Sequence, residues 1–210
     1  MTLDFTQEDE MNFGNLISSD GFYSAAFTVP EELAKDFKEK KPVDFVDVPN
    51  FLYGFRKQNS NGSDFGNYDI FMNFGKGFID MKEGYRTNDE VFADGDLQFI
   101  LTRENIAAGI ISLDSFCNGI IANQIQGVKG MKDALAPLKW TRALLNLASR
   151  WASLQGIPEM YVLPYERNAY KKVRDDNAKK LIYDVTAMRE GFRYENQTGL
   201  YVKKLGGKNE

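Results

Sequence analysis

The chain has 210 residues, 43% of them hydrophobic and 13% aromatic, with a formal net charge of −4; that is the composition of a folded protein with one sizeable core. It has no histidine and a single cysteine, Cys117, which excludes Ser-His-Asp and Cys-His hydrolases, the common zinc enzymes and an internal disulfide. No apolar run approaches the ~20 residues of a membrane helix, and Asp4, Glu8, Asp9 and Glu10 give the N-terminus the wrong sign for a secretory signal; a cytoplasmic protein with no membrane association and no metal is expected.

In chain order, residues 1–95 form an acidic, aromatic-rich region punctuated by turn residues (Asn12-Phe13-Gly14, Asn59 to Asn67, Met72-Asn73-Phe74-Gly75) rather than by a period. A short helix is predicted over Glu31–Lys40, with Pro30 at its first turn and Pro42 beyond its end. The alternation of Val43–Val48 predicts a strand, and Asn59–Ser63 an exposed loop. Cys117, with no histidine to activate it, is read as a small buried hydrophobe.

From Asp96 onward, apolar and β-branched runs alternate with turns. Leu97–Thr102 and Ile106–Leu113 predict a hairpin joined through Arg103-Glu104-Asn105, and Gly119–Ile125 a third strand. A turn with two glycines and a lysine comes next, Gln126 to Gly130. It leads to a helix over Ala136–Leu154, with Pro137 in its first turn, Leu144, Leu147, Ala148 and Trp151 on one face, and Gly156 ending it. Met160–Leu163 then completes a βαβ unit with a parallel strand pair. A second helix is predicted over Asn177–Glu190, burying Ala178, Leu181, Ile182, Val185 and Met188, with Gly191 as its cap. Phe192–Glu195 and Leu200–Lys204 form a closing hairpin.

Charge divides unevenly along the chain. Residues 1–121 carry 10 Lys+Arg against 21 Asp+Glu, net −11, and residues 122–210 carry 16 against 9, net +7. A polyanionic ligand therefore belongs on the second half, unless the two halves simply neutralise each other. Nucleic acid is the weaker match, since the chain has neither a glycine- and arginine-rich tract nor zinc spacing. A glycine turn leading from strand to helix favours phosphate through its free amides and the helix dipole.

The order of elements from Leu97 to Leu205 resembles the GNAT (N-acetyltransferase) superfamily. Gln124-Ile125-Gln126-Gly127 is similar to that family's Gln/Arg-x-x-Gly-x-Gly/Ala loop, Trp151-Ala152 with Gly156 to its following helix, and Arg189-Glu190-Gly191-Phe192 to the end of its second. The resemblance implies an α/β fold with a mixed, mostly antiparallel sheet and one parallel pair at the crossover. Residues 96–210 would be the acyl-CoA-binding core and residues 1–95 the acceptor side. Acetyl-CoA would be the co-substrate, its pantetheine on the backbone of Asn123, Gln124, Ile125 and Gln126. Its pyrophosphate would lie on Gly127, Val128, Lys129 and Gly130, or on a loop nearer Leu138–Thr141, because Lys129 stands where the family has a small residue.

The activity so implied is acyl transfer, with acetyl as the expected group, to an amine of a small molecule or a protein. Where the family carries a tyrosine four residues before the glycine, this chain has Ala187. Tyr183, one turn earlier, is the candidate acid for the departing thiolate. Asp114 and Glu166 are the candidate bases. Tyr161, Tyr165 and Tyr170 would line an acceptor pocket, with Phe51, Tyr53 and Phe55 on its acidic side. The alternative is a catalytically silent member that binds a CoA-like ligand or a protein; a homodimer is compatible with either.

Overall fold

The computed structural model describes residues 41–60, 63–75, 77–78, 92–167 and 180–205. In order these form β1 (Lys41–Pro42), α1 (Val48–Tyr53), β2 (Tyr68–Phe74), β3 (Gly77–Phe78), β4 (Phe92–Ala93), β5 (Leu97–Arg103), β6 (Ile106–Phe116) and β7 (Gly119–Gly127). After these come α2 (Lys132–Leu135), α3 (Trp140–Leu154), β8 (Glu159–Val162), a 3-10 turn (Tyr165–Arg167), a π-helical turn (Leu181–Val185) running into α4 (Thr186–Arg189), and the pair β9 (Arg193–Glu195) and β10 (Leu200–Lys204).

One sheet of eight strands, in the order β1-β2-β5-β6-β7-β8-β10-β9, organises these elements, and β3 and β4 form a separate ribbon. Every neighbouring pair in the large sheet is antiparallel except β7 and β8, which run parallel across the α3 crossover. The expected mixed α/β architecture is present, and the sheet continues across residue 95, since β2 pairs with β5 along its whole length from Tyr68↔Arg103 to Phe74↔Leu97.

The central hairpin turns in two residues. Glu104 and Asn105 both have positive φ, 52° and 64°, the geometry that lets a tight turn match the twist of its strands. At the next hairpin the residue of positive φ is Cys117, which the Phe116↔Gly119 pairing places at the loop tip. It is therefore exposed rather than buried. Burial of its immediate surroundings and the nearby Glu159 carboxylate push its thiol pKa up, away from nucleophilic chemistry.

The core lies between α3 and one face of the sheet. Leu144, Leu147, Ala148 and Trp151 are all buried as their spacing predicts, and Trp151 meets Phe99 of β5 edge-on, with ring centroids 6.0 Å apart. Where α3 begins, Trp140 rests on Gly109 and Gly127, a cross-strand pair. A Cβ on Gly109 would lie 3.0 Å from the indole, and one on Gly127 3.1 Å from Leu135.

Three local expectations fail for identifiable reasons. Val43–Val48 is not a strand. Val43 still bonds to Ile70, but Asp47 then caps a helix by accepting from the Asn50 amide at 3.2 Å, and Pro49 fits that helix's first turn. The long helix starts at Trp140 rather than Ala136, because Pro137–Lys139 are held extended: Lys57 N donates to Pro137 O and Lys139 N to Phe55 O, both at 2.8 Å. The buried face of the last helix is also rotated. Met188 is exposed while Tyr183, Asp184, Thr186, Ala187 and Glu190 are buried, since a π turn contains an extra residue and shifts the phase of the turn after it. The predicted helix over Glu31–Lys40, the start of the helix at Asn177, and Tyr170 lie outside the described residues, and of Asn59–Ser63 only the flanks of the loop are described.

The segment between β7 and α3 is anchored from the first half. Tyr68, almost wholly buried, donates its hydroxyl to Ala134 O at 2.6 Å. Tyr68→Phe is expected to cost about 1–2 kcal/mol, the usual consequence of leaving a buried acceptor unpaired. Urea denaturation with an unchanged slope would measure it.

Candidate functional site

Strands β7 and β8 pair over only three residues, Ile120↔Met160, Ile121↔Tyr161 and Ala122↔Val162, and a last bond joins Leu163 N to Ala122 O at 3.1 Å. Beyond that point they part. On the β8 side Pro164 has no amide to donate, and the chain bends into the 3-10 turn. On the β7 side the register against β6 slips between Ser112↔Gln124 and Leu113↔Ala122. Asn123 is the extra residue of a bulge, and a bulge bends its strand. The result is a wedge with the edge of Asn123–Gly127 on one side and Tyr165–Arg167 on the other.

The π-helical turn reaches both walls of the wedge. Tyr183 is buried, and its hydroxyl accepts a hydrogen bond from Ile125 N at 3.0 Å. The next residue, Asp184, is also buried and accepts from Tyr165 N at 2.9 Å through Oδ1. Two contacts from the end of the helix fix its position. Thr141 and Thr186 hydroxyls lie 3.1 Å apart, and the buried Glu190 accepts from Arg142 Nε at 2.6 Å and Asn146 Nδ2 at 3.0 Å.

Among the described candidate catalytic residues, Tyr183 is the one whose side chain bonds to the wedge's strand edge. Asp114 is buried on β6, where Oδ1 accepts from Asp96 N at 3.0 Å and Oδ2 from Asn123 Nδ2 at 2.7 Å; it holds the bulge residue. Glu166 is exposed on the 3-10 turn, one residue from Tyr165. The side chains of Gln124 and Gln126 are tied to each other at 2.9 Å, and Gln124 Oε1 also accepts from Ser112 Oγ at 2.7 Å and Asp94 N at 3.1 Å. These belong to a polar row, Asn73–Gln98–Ser112–Gln124, directly opposed across four strands. Only the backbone of this stretch edges the wedge.

The glycine turn is built differently from a phosphate cradle. Gly127 is a strand residue, and Val128 N is committed to Ala108 O at 2.8 Å. Met131 N closes a tight turn onto Val128 O around Gly130, whose φ is +82°. Lys129 and Gly130 are exposed on that turn. The first turn of α3 comes after it, with no side-chain cap on Lys139, and its Thr141 and Arg142 face α4 through their contacts with Thr186 and Glu190. Among the described residues no three acidic, cysteine or histidine side chains cluster as metal ligands, and no helix is long and apolar enough to cross a membrane.

Around the outer end of the wedge stand Tyr201 of β10, paired with Val162, and Tyr194 of β9, its cross-strand neighbour with ring centroids 5.4 Å apart. Burial raises the Tyr201 pKa, and the charges of Asp184 and Glu166 add to that rise. Among the other candidate pocket aromatics, Tyr161 is buried and bonds Glu159 Oε2 at 2.5 Å, and Tyr165 is buried beside the wedge. Phe51 and Phe55 meet at a tilt with ring centroids 5.1 Å apart, and Tyr53 is exposed under Arg56. Asp184, which the sequence reading did not single out, also reaches the wedge, where it is buried and accepts from Tyr165 N.

No protein-family model matches the sequence, and no curated protein is similar to it. Among solved structures, the chain is similar to the ribosomal-protein-S18-alanine N-acetyltransferase of Escherichia coli, with 13% identity and a TM-score of 0.37 over 82% of this chain and 97% of that one. It is also similar to a putative streptothricin acetyltransferase from Bacillus anthracis in complex with acetyl coenzyme A, with 12% identity and a TM-score of 0.34 over 79% and 96%.

Proposed function

We propose that the protein is an acyl-CoA-dependent N-acyltransferase, with acetyl the expected group. The observation that supports this most directly is the wedge itself. Two parallel strands part at a bulge, and the amide of Ile125 points into the gap, bonded to an exchangeable hydroxyl. A gap edged by a strand backbone suits an extended chain with alternating amides, which pantetheine is, because such a chain pairs as an added strand would. The first turn of α3, rather than the glycine turn, is then the place for phosphates, since the amides of Val128 and Met131 are already used.

Acetyl-CoA supplies an activated thioester, so no histidine is required. In this reading the Ile125 amide exchanges its Tyr183 partner for the thioester oxygen and stabilises the charge that develops there. Tyr183, released but held in place by the α3–α4 contacts, gives its proton to the departing sulfur. The walls of the wedge exclude water from both events.

The first test is stabilisation by ligand. Acetyl-CoA or CoA at about 100 times its Kd is expected to add about 2.7 kcal/mol of stability, a rise of roughly 5–10 °C in Tm for a chain of this size. Thiol release with a panel of primary amines then separates an enzyme from a silent binder. No shift with millimolar CoA would end both readings.

A further inference from the structure

We infer that Asp114 is a positioning residue that sets the opening of the wedge, by tying the bulge of β7 to the segment Asp94–Asp96 that crosses over it; this rests on the acyltransfer reading of the wedge. Phe99 of β5 meets α3, so the preceding residue, Gln98, points to the other face of the sheet. On that face the chain passes from the β3–β4 ribbon over β7 and β6 to reach β5. Asp94 N donates to Gln124 Oε1 of β7 at 3.1 Å. Gly95 lies against Leu113 of β6, and Asp96 N donates to Asp114 Oδ1 at 3.0 Å, before Leu97 opens β5. Gln98 holds the crossing from beneath by donating to the Gly95 carbonyl.

These anchor points coincide with the slip in register. β6 and β7 lose register between Ser112↔Gln124 and Leu113↔Ala122, and the crossing segment touches Leu113, Asp114, Asn123 and Gln124. A Cβ on Gly95 would lie 2.6 Å from both the nitrogen and the oxygen of Leu113. Glycine therefore lets the segment rest directly on the strand at this point.

Asp114, 4% exposed, joins the two layers. A carboxylate has acceptor capacity only, and here Oδ1 receives the crossing segment while Oδ2 receives Asn123 Nδ2 of the bulge at 2.7 Å. The same Nδ2 reaches Asp94 O at 3.5 Å. Asn123 opens the backbone edge that pantetheine is expected to pair with, and the Ile125 amide follows two residues later. Without the bridge the amides of this edge lose the fixed direction that an added strand needs. Asp114 thus acts through Asn123, not on the reacting atoms.

Asp114→Ala and Asp114→Asn together test this. Alanine removes the bridge. Asparagine keeps it, because its oxygen accepts from Asp96 N and its amide donates to the Asn123 oxygen once that side chain turns over. Titration calorimetry with acetyl-CoA on the folded variants is expected to show Kd raised about tenfold in D114A, the loss of one hydrogen bond to a charged group, and less than about threefold in D114N. Turnover of D114N should stay within the same factor of the wild type. A purely structural role lowers the unfolding midpoint but leaves the Kd of the folded molecules unchanged. A Kd for D114A within about threefold of the wild type, or D114N as weak as D114A, would overturn the inference. So would a D114N that binds normally but turns over about 10²-fold more slowly, the mark of a proton acceptor. If D114A does not fold, Asn123→Ala removes the same bond from the β7 side and is judged by the same rise in Kd. A wild type that does not bind CoA, or binds it without thiol release to any amine, overturns the acyltransfer reading; a wild type that does both while D114A binds as tightly overturns only the role of Asp114.

Discussion

Gly119→Ala is expected to destabilise the protein by about 3 kcal/mol and to abolish stabilisation by CoA together with it. Gly119 opens β7 beside the first residue of β8. A Cβ there would lie 2.9 Å from the Glu159 carbonyl carbon, closer still to its oxygen, and 3.1 Å from the Tyr161 ring. The obstacle is main chain, so no rotamer relieves it, and β8 has to move away from β7. Only three residue pairs hold those strands together, so a displacement at one end is felt at the point where they part. The loss is a large share of a typical total of about 5–15 kcal/mol. Gly156→Ala is the control: it has φ +72° but nothing within 4 Å of a Cβ, so it should cost only about 1 kcal/mol and leave the response to CoA intact. Urea denaturation and CoA thermal shifts on both variants check this; equal losses in the two would show that the close contact is not what matters.

The parts of this arrangement that were legible in the sequence are those set by local pattern. Strands β5 to β7 arise from β-branched runs broken by Glu104-Asn105 and Cys117-Asn118, and the buried face of α3 is given by its spacing. The parts that were not legible depend on distant partners or on a change of period. Pro137 looks like a helix start, but Phe55 and Lys57, some 80 residues earlier in the chain, hold it extended. Val43–Val48 alternates like a strand, yet an aspartate cap and a proline turn it into a helix. The bulge at Asn123 has no mark in a sequence that reads as continuous strand. The π turn changes the period within the last helix, where Met188 is exposed while Tyr183, Asp184 and Ala187 are buried.

Tyr183→Phe should separate what the hydroxyl does for the fold from what it does for the reaction. In the free protein it accepts from Ile125 N, and phenylalanine leaves that amide unpaired in a buried place, at a cost of about 1–2 kcal/mol. A ligand that supplies its own acceptor to Ile125 removes the penalty. The variant should therefore gain more stability from acetyl-CoA than the wild type does, by about the amount it lost. Its rate of thiol release should nonetheless fall about 10²-fold, the scale expected when a positioned acid is lost, and the loss should appear in kcat rather than KM because the contact forms only as the sulfur departs. The two shifts run in opposite directions, tighter apparent binding with slower turnover. A hydroxyl that merely filled space would give neither, and one that only braced β7 would lower stability without changing kcat. Y183F with wild-type turnover would assign the proton to another group and leave Tyr183 as a strut across the wedge.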